Sequence, residues 1–446
     1  MTTTLIEGFD HDAVALARFL ARDGRRVSLA GPGAASQQAL VLRHERRAEI
    51  HAYADLDVDP GDHDEAFLDV WTPEVAPRVS LLRERGCTVR CLGDLVLERA
   101  SVPTIGVTGT AGKTTTTAFL AYFLRNAGVR VHASTTARAS NLWPTAELLP
   151  PPTEGVVLME LTSSHLCYTT HSPSIAVITC FWPDHLELHG SLERYREAKA
   201  AIVRAQGPDD VVVVNEDDPG AAAIADMSLG RRYGFSTSEE LDAGAFVHRH
   251  EVVLRDSVGD RSFRVPAQLD GPRLQAMLAA AAAALAAGAI PEQLRPPEAP
   301  PHRAARVGLL GSTELIDDGM AATPAKAAST LDEQEDDSAV LVAGGELESA
   351  GLPVHAAPEE QVLLEHACAE ASRVARLVVL FGPAAERLAP HFDAGKTLRA
   401  ETLDEAIRRA SEHAEGARVL VVSPMFPLSL AERERIAPAL ASLATS

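Results

Sequence analysis

Residues 105–117 read Ile-Gly-Val-Thr-Gly-Thr-Ala-Gly-Lys-Thr-Thr-Thr-Thr, and this stretch decides the fold. It follows a short apolar strand pattern (104–108) and opens a helix pattern over 118–126. A glycine-rich turn between strand and helix presents backbone N–H groups, and the helix start adds positive potential, so phosphate is the expected guest. Gly109, Thr110, Ala111 and Gly112 form the turn. Lys113 is placed to reach terminal phosphates, and Thr114 or Thr115 offers a hydroxyl to Mg²⁺. Val107 stands where such loops usually put their first glycine. The strand–turn–helix setting favours a nucleoside triphosphate site over an ordinary glycine turn.

Working outward, residues 101–290 alternate apolar runs with helix patterns. Strands are expected at 104–108, 130–133, 156–161, 175–181 and 211–215. Nearly continuous apolar strands belong to parallel sheets covered on both faces. Residues 1–100 show a smaller alternation, with helices at 13–23 and 79–85 and strands at 26–30 and 88–91. After five prolines between 291 and 301, strands at 339–344, 377–382 and 419–423 alternate with helices at 358–374 and 403–414. The chain therefore reads as α/β with three domains: 1–100, 101–298 and 299–446. The alanine-rich run 279–287 is too short for a membrane span and reads as a buried helix.

The 446 residues carry a formal charge of −21, which argues against a nucleic-acid surface. The five cysteines are scattered and odd in number, so a disulfide framework or zinc site is not expected. With no apolar leader or spanning segment in view, a cytoplasmic location without membrane association is expected. Anionic small molecules stay open as ligands, because a local loop can set its own field.

Two further groups fall past strand ends, where open α/β sheets collect ligands. Glu160 closes the run Val-Val-Leu-Met-Glu and suits Mg²⁺, which takes one or two carboxylates beside phosphate oxygens. His185 follows the next strand in Trp182-Pro183-Asp184-His185, and Lys199 lies on the Leu192/Tyr195 side of the helix pattern after it.

The order Gly109-Thr110-x-Gly112-Lys113-Thr114-Thr115, then Glu160-Leu161-Thr162-Ser163, then Asp184-His185-Leu186-x-x-His189-Gly190-Ser191-x-x-x-Tyr195-x-x-x-Lys199 resembles the Mur ligase family. Val214-Asn215-Glu216-Asp217-Asp218-Pro219 and His302-Arg303 fit the same pattern, and within the family the D-glutamate-adding branch is most similar. The resemblance implies a Rossmann-like first domain for a UDP-sugar, a central P-loop ATPase domain and a Rossmann-like third domain for an amino acid. It implies a monomeric, ADP-forming ligase of peptidoglycan precursor synthesis. ATP phosphorylates a UDP-muramoyl-type carboxylate, and an amino-acid amine then attacks the acyl phosphate. Lys113 and Thr114 would bind phosphates and magnesium. Glu160 would hold the metal between the ATP phosphates, and His185 would bind a second metal. Lys199 matches a carbamylated lysine, Asn141 a loop reaching the reacting phosphate, Arg303 an ATP contact and Asp318 a ribose-binding acid.

Departures from the pattern lie in the outer domains. Gly8-Phe9-Asp10-His11-Asp12-Ala13 puts carboxylates where the family has a glycine loop, and Thr72-Pro73-Glu74 replaces Ser-Pro-Gly. Gly271-Pro272-Arg273 replaces most polar residues of the adenine segment. In the third domain, Met320 and Glu348 stand where the family has lysines that grip carboxylates. These positions leave two alternatives beside the leading reading: a Mur-type ligase of altered specificity (L-glutamate or a specialised-metabolite amide), or a non-catalytic nucleotide-binding relative.

Overall fold

The fold is that of a computed structural model, which describes residues 2–31, 36–45, 49–50, 63–134, 145–265, 269, 271–289, 300–332, 334–349 and 351–444. Asn141 and most of the proline-rich stretch 291–301 lie outside the described residues.

The first sheet joins β1 (Thr3–Glu7), β2 (Arg26–Ala30), β3 (Glu49–Ile50), β4 (Glu65–Phe67) and β5 (Thr88–Arg90) in the order β3-β2-β1-β4-β5, all parallel. Helix His11–Arg22 packs on it through Ala13, Val14, Leu16, Ala17 and Leu20, the 3–4 spacing of one apolar stripe.

The central sheet holds β6 (Thr104–Thr108), β7 (Val131–Ala133), β8 (Val156–Glu160), β9 (Ile175–Ile178), β10 (Val211–Asn215) and β11 (Arg231–Ser236). Beyond them come β12 (Gly244–His248), β13 (Glu251–Asp256) and β14 (Gly259–Arg264). Their order is β14-β13-β12-β11-β10-β9-β6-β8-β7. Only β12-β13 and β13-β14 pair antiparallel, so the expected parallel core is extended by a meander that lacks the apolar continuity used to find the others. All five residues of β6 are buried, between β9 and β8. On one face, helix Lys113–Asn126 packs against helix Gly271–Ala286. Ala276–Leu285 of the latter are all buried, and small side chains let the two helices approach closely. Burial of Phe119, Leu120, Phe123 and Leu124 between helix and sheet contributes roughly 1.5–3 kcal/mol per side chain.

The strand expected over 175–181 stops at Ile178. Cys180 and Phe181 remain buried, but their backbone serves another partner. Thr110 N–H donates to the Cys180 carbonyl at 3.0 Å, and Trp182 N–H donates to Thr110 Oγ1 at 3.0 Å. The apolar run leaves the sheet to hold the phosphate-loop candidate.

The third sheet comprises β15 (Ala305–Leu310), β16 (Thr313–Asp317) and β17 (Ala339–Gly344), then, after the short hairpin β18 (Glu348–Ser349) and β19 (Leu352–Pro353), β20 (Ala375–Phe381), β21 (Thr397–Ala400) and β22 (Val419–Met425). Its order is β15-β16-β22-β17-β20-β21, parallel except at β15-β16. Among the described residues no helix is long and apolar enough to cross a membrane, and the five cysteines are unpaired.

Candidate active site

The strands β6, β8 and β9 are neighbours, so their carboxyl ends bring residues 109–115, Glu160 and the segment before His185 to one edge. Gly109 turns the chain at φ +144°, and a Cβ there would sit 1.9 Å from Thr179 Oγ1. Gly112 has φ +80° at the start of helix Lys113–Asn126. Both positions require glycine for conformation, and the first also for space.

Lys113 folds back over this turn. Its Nζ donates to the carbonyls of Gly109 at 2.9 Å and Thr110 at 3.1 Å. Lys199, 1 % exposed on helix Leu192–Arg204, donates to the same Gly109 carbonyl at 2.9 Å. Its ammonium also lies 4.7 Å from the centre of the Tyr195 ring. Burial first, and the neighbouring Lys113 charge second, push the Lys199 pKa well below the usual lysine range. Lys113 is lowered too, by burial and then by the Lys326 charge.

Between Thr114 and Thr115, geometry selects Thr114. Its hydroxyl donates to Glu160 Oε1 at 3.1 Å and accepts from Arg303 Nη2 at 2.9 Å. Glu160 is buried, its Oε2 has no hydrogen-bond partner, and burial raises its pKa. A buried carboxylate oxygen without a donor is costly unless something positive fills the gap. The hard oxygen donors of Thr114 and Glu160 suit Mg²⁺.

His185 has φ +55° and places Nδ1 3.3 Å from Glu187 Oε1. Beside it Asp184, 2 % exposed, accepts from Lys326 Nζ at 3.1 Å. Burial alone would raise the Asp184 carboxyl, but the His185 and Lys326 charges outweigh it and hold it below the usual range. Lys326 belongs to the third sheet's unit, so this pair joins two units across the cleft. Glu360 joins them again by accepting from Leu186 N–H at 3.2 Å. Asp184, Lys326 and Glu360 escaped the sequence reading. Asp184 was adjacent to a chosen histidine, whereas nothing local in the sequence marks the other two.

Asp318 is buried at the end of β16, accepting from Ala304 N–H at 3.1 Å and Ser423 Oγ at 2.9 Å. Burial pushes its pKa up to about 7. A cavity of about 780 Å³ unites these groups, lined by Thr110–Thr116, Glu160, Asp184, His185, Lys199, Arg303, Asp318 and Lys326. Gly271, Pro272 and Arg273 border it as well.

The departures take definite places. Asp10 caps its own helix by accepting from Ala13 N–H at 2.8 Å. Asp12 accepts from Thr145 and Ala146 N–H at 3.1 and 3.2 Å, and burial raises its pKa to about 6. Carboxylates of the chain itself thus occupy that helix start. Glu74 clasps His189 Nδ1 at 3.1 Å and Arg194 Nη2 at 3.2 Å, tying the first unit to the central one. Glu348 is exposed and does not line the cavity. Met320 does line it, with Sδ 3.1 Å from Arg433 Nη1.

Comparison with known proteins agrees with this fold. The Mur ligase middle domain model matches residues 107–285. A UDP-N-acetylmuramoylalanine--D-glutamate ligase of Symbiobacterium thermophilum is 32% identical over 378 residues, covering 81% of this chain and 79% of the relative. A MurF crystal structure from Acinetobacter baumannii superposes with a TM-score of 0.63 at 18% identity, covering 99% of this chain and 93% of that one. MurF of Thermotoga maritima in complex with ADP gives 0.61 at 17% identity, covering 94% and 95%. The chain belongs to the Mur ligase family of ATP-dependent ligases.

Proposed function

We propose that the cavity binds Mg-ATP around residues 109–115 and joins a UDP-muramoyl-type carboxylate to an amino acid during peptidoglycan precursor synthesis. The observation that carries this is the Thr114 hydroxyl set between Glu160 and Arg303, with Glu160 Oε2 left bare beside it. The carboxylate oxygen attacks the terminal phosphorus and ADP leaves. The amino-acid amine then attacks the acyl carbon, phosphate leaves, and the amine loses its proton.

The barrier lies in bringing anions together. Lys113 is one step from the phosphates: released from the Gly109 and Thr110 carbonyls, its ammonium covers the transferring oxygens. Arg303 adds a second fixed cation, delivered from the start of the third unit. Thr114 and Glu160 would hold Mg²⁺ and His185 a second ion, which would supply further neutralisation of phosphate oxygens. Lys199, whose charge burial disfavours, suits addition of CO₂ to its neutral amine form, which would make it an anionic ligand. Asp318 serves the ribose, and Asn141 the reacting phosphate.

The division at residues 1–100, 101–298 and 299–446 assigns the carboxyl donor, ATP and the amino acid to successive domains. The enzyme acts as a cytoplasmic monomer. Purified protein should release phosphate from ATP only when a carboxylate donor and an amino acid are both present. The starting pair is UDP-N-acetylmuramoyl-L-alanine with D-glutamate, followed by a panel of other amino acids. Phosphate release that ignores both substrates would overturn the ligase assignment. ATP binding without turnover on any pair would leave the non-catalytic alternative standing.

A further inference from the structure

A loop of the first unit meets the central unit at a group that the ligase chemistry does not use. Glu74 follows Thr72-Pro73, Cys167 follows helix Ser163–Leu166, and His189 ends helix Leu186–His189. A carboxylate oxygen of Glu74, the Cys167 sulfur and a ring nitrogen of His189 all lie within 4.8 Å of one another. Spacing along the chain conceals the group, because its members meet only when the first unit rests on the central one. The contact is firm on both sides. Tyr168 Oη donates to the Thr72 carbonyl at 2.9 Å, and Val75 packs so closely on Gly190 that a Cβ there would meet it at 3.0 Å. Side chains on a backbone fixed in this way are held ready for a ligand.

His189 is 1 % exposed; its Nδ1 faces Glu74 Oε2 at 3.1 Å, and its Nε2 has no hydrogen-bond partner. Hydrogen bonding within the protein therefore leaves this buried ring half satisfied, which calls for an explanation. Burial holds its pKa below the usual histidine value against the pull of Glu74, favouring the neutral imidazole that ligates metals. The Cys167 thiol makes only a weak bond, to the Ser164 carbonyl at 3.4 Å. The 3.1 Å between Nδ1 and Oε2 is close to the roughly 3.3 Å separating two ligands that each stand about 2.0–2.1 Å from a tetrahedral ion. Arg194 and Arg83 approach the other carboxylate oxygen, Oε1, at 3.2 and 3.9 Å, and leave Oε2 to the group.

We propose that Glu74, Cys167 and His189 form a zinc site that clips the first unit to the central one, with water in the fourth position. Thiolate, imidazole and carboxylate together suit Zn²⁺, whereas the hard oxygens of Thr114 and Glu160 suit Mg²⁺. On binding, the thiol gives its proton to solvent and the sulfur becomes a metal ligand. One thiolate and one carboxylate then balance the divalent charge, so Arg83 and Arg194 do not repel the ion as they would a bare cation. The site stands independently of the ligase reading. It also gives a role to Glu74, which replaces the glycine of Ser-Pro-Gly.

The test uses the full chain, stripped with a chelator that is then removed, in wild-type form and as Cys167→Ser, His189→Gln, Glu74→Gln and His185→Ala. Zinc affinity is measured in excess Mg²⁺ by competition with a chromophoric chelator, and Co²⁺ is then substituted for Zn²⁺. The wild type should bind zinc at this site and melt at a higher temperature with it. Its cobalt form should show a thiolate-to-cobalt charge-transfer band. Cys167→Ser should weaken zinc binding by roughly a hundredfold or more and remove that band, and Glu74→Gln and His189→Gln should each weaken binding by about tenfold or more. His185→Ala should keep zinc affinity within about twofold, since its metal is a different one. Should Cys167→Ser fail to fold, protection of Cys167 by Zn²⁺ against alkylation in the wild type, read by peptide mass, decides the matter. Equal zinc affinity in the wild type and Cys167→Ser, a cobalt form without the band, or alkylation unaffected by Zn²⁺ would overturn the site. So would zinc lost in His185→Ala but kept in Cys167→Ser, which would place the ion at the edge proposed for Mg²⁺.

Discussion

Lys113 and Lys199 donate to one and the same acceptor, the carbonyl oxygen of Gly109, each at 2.9 Å. Two ammonium groups on one buried oxygen repel each other, and burial disfavours both charges. Lys199, more deeply enclosed, is the one pushed well below the usual range. On the proposed reading the two lysines have separate roles: Lys113 moves onto phosphate and Lys199 takes up CO₂.

Lys113→Ala should lower phosphate release by about 10²-fold or more, since a cation aimed at developing charge is lost from a dry site. The fold should persist, because Lys113 bonds only to its own loop. Undiminished turnover with intact circular dichroism would contradict the phosphate role.

For Lys199, activity should vanish in Lys199→Ala and return in part with acetate or formate, which place a carboxylate where the carbamate stood. Carbon-13 bicarbonate should give a carbamate resonance in the wild type that the variant lacks. Rescue failure together with an absent resonance would remove the modification from the account.

Glu160→Gln separates stability from function. A buried carboxylate oxygen without a hydrogen-bond partner is costly to the fold, so the amide should melt at the same temperature or higher. The Mg²⁺ needed for half-maximal turnover should rise by roughly tenfold or more. Lower stability with an unchanged Mg²⁺ requirement would mean that Glu160 only supports the fold.

Asp318 sets a pH dependence. Its folded pKa, raised to about 7 by burial, lies above the ordinary carboxylate value of 3.8. The folded protein therefore holds a proton that the unfolded chain releases, and stability from this group is full below about pH 4 and is lost as pH rises through 7. Glu360, also raised by burial to about 7, adds in the same direction. Asp318→Asn should flatten denaturant midpoints between pH 5 and 8 relative to wild type. An unchanged slope would show that Asp318 is not the group responsible.

What could be read in advance follows from how local each signal is. Residues 109–115 form a contiguous loop whose glycines, lysine and threonines act on one another, so spacing alone exposed them. Glu160 and His185 were legible because parallel strands deliver their carboxyl ends to one edge. Lys326 and Asp184 are 142 positions apart and meet only when the third unit lies against the central one. Glu348 is exposed, which its position in the sequence does not reveal. The strand end at Ile178 was missed for a related reason, since Cys180 and Phe181 are apolar and buried, but the Cys180 carbonyl serves Thr110 of the loop and the Phe181 N–H serves Asp218.

The central claim is that Thr114, Glu160 and His185 gather divalent cations and a triphosphate beside Lys113. A crystal structure of the protein with Mg²⁺ and a nonhydrolysable ATP analogue tests it most directly. The account predicts metal density on Glu160 Oε2 and the Thr114 hydroxyl, with the Lys113 ammonium moved from the Gly109 carbonyl onto phosphate. A nucleotide bound elsewhere, or Glu160 and His185 without metal beside an ordered triphosphate, would contradict it.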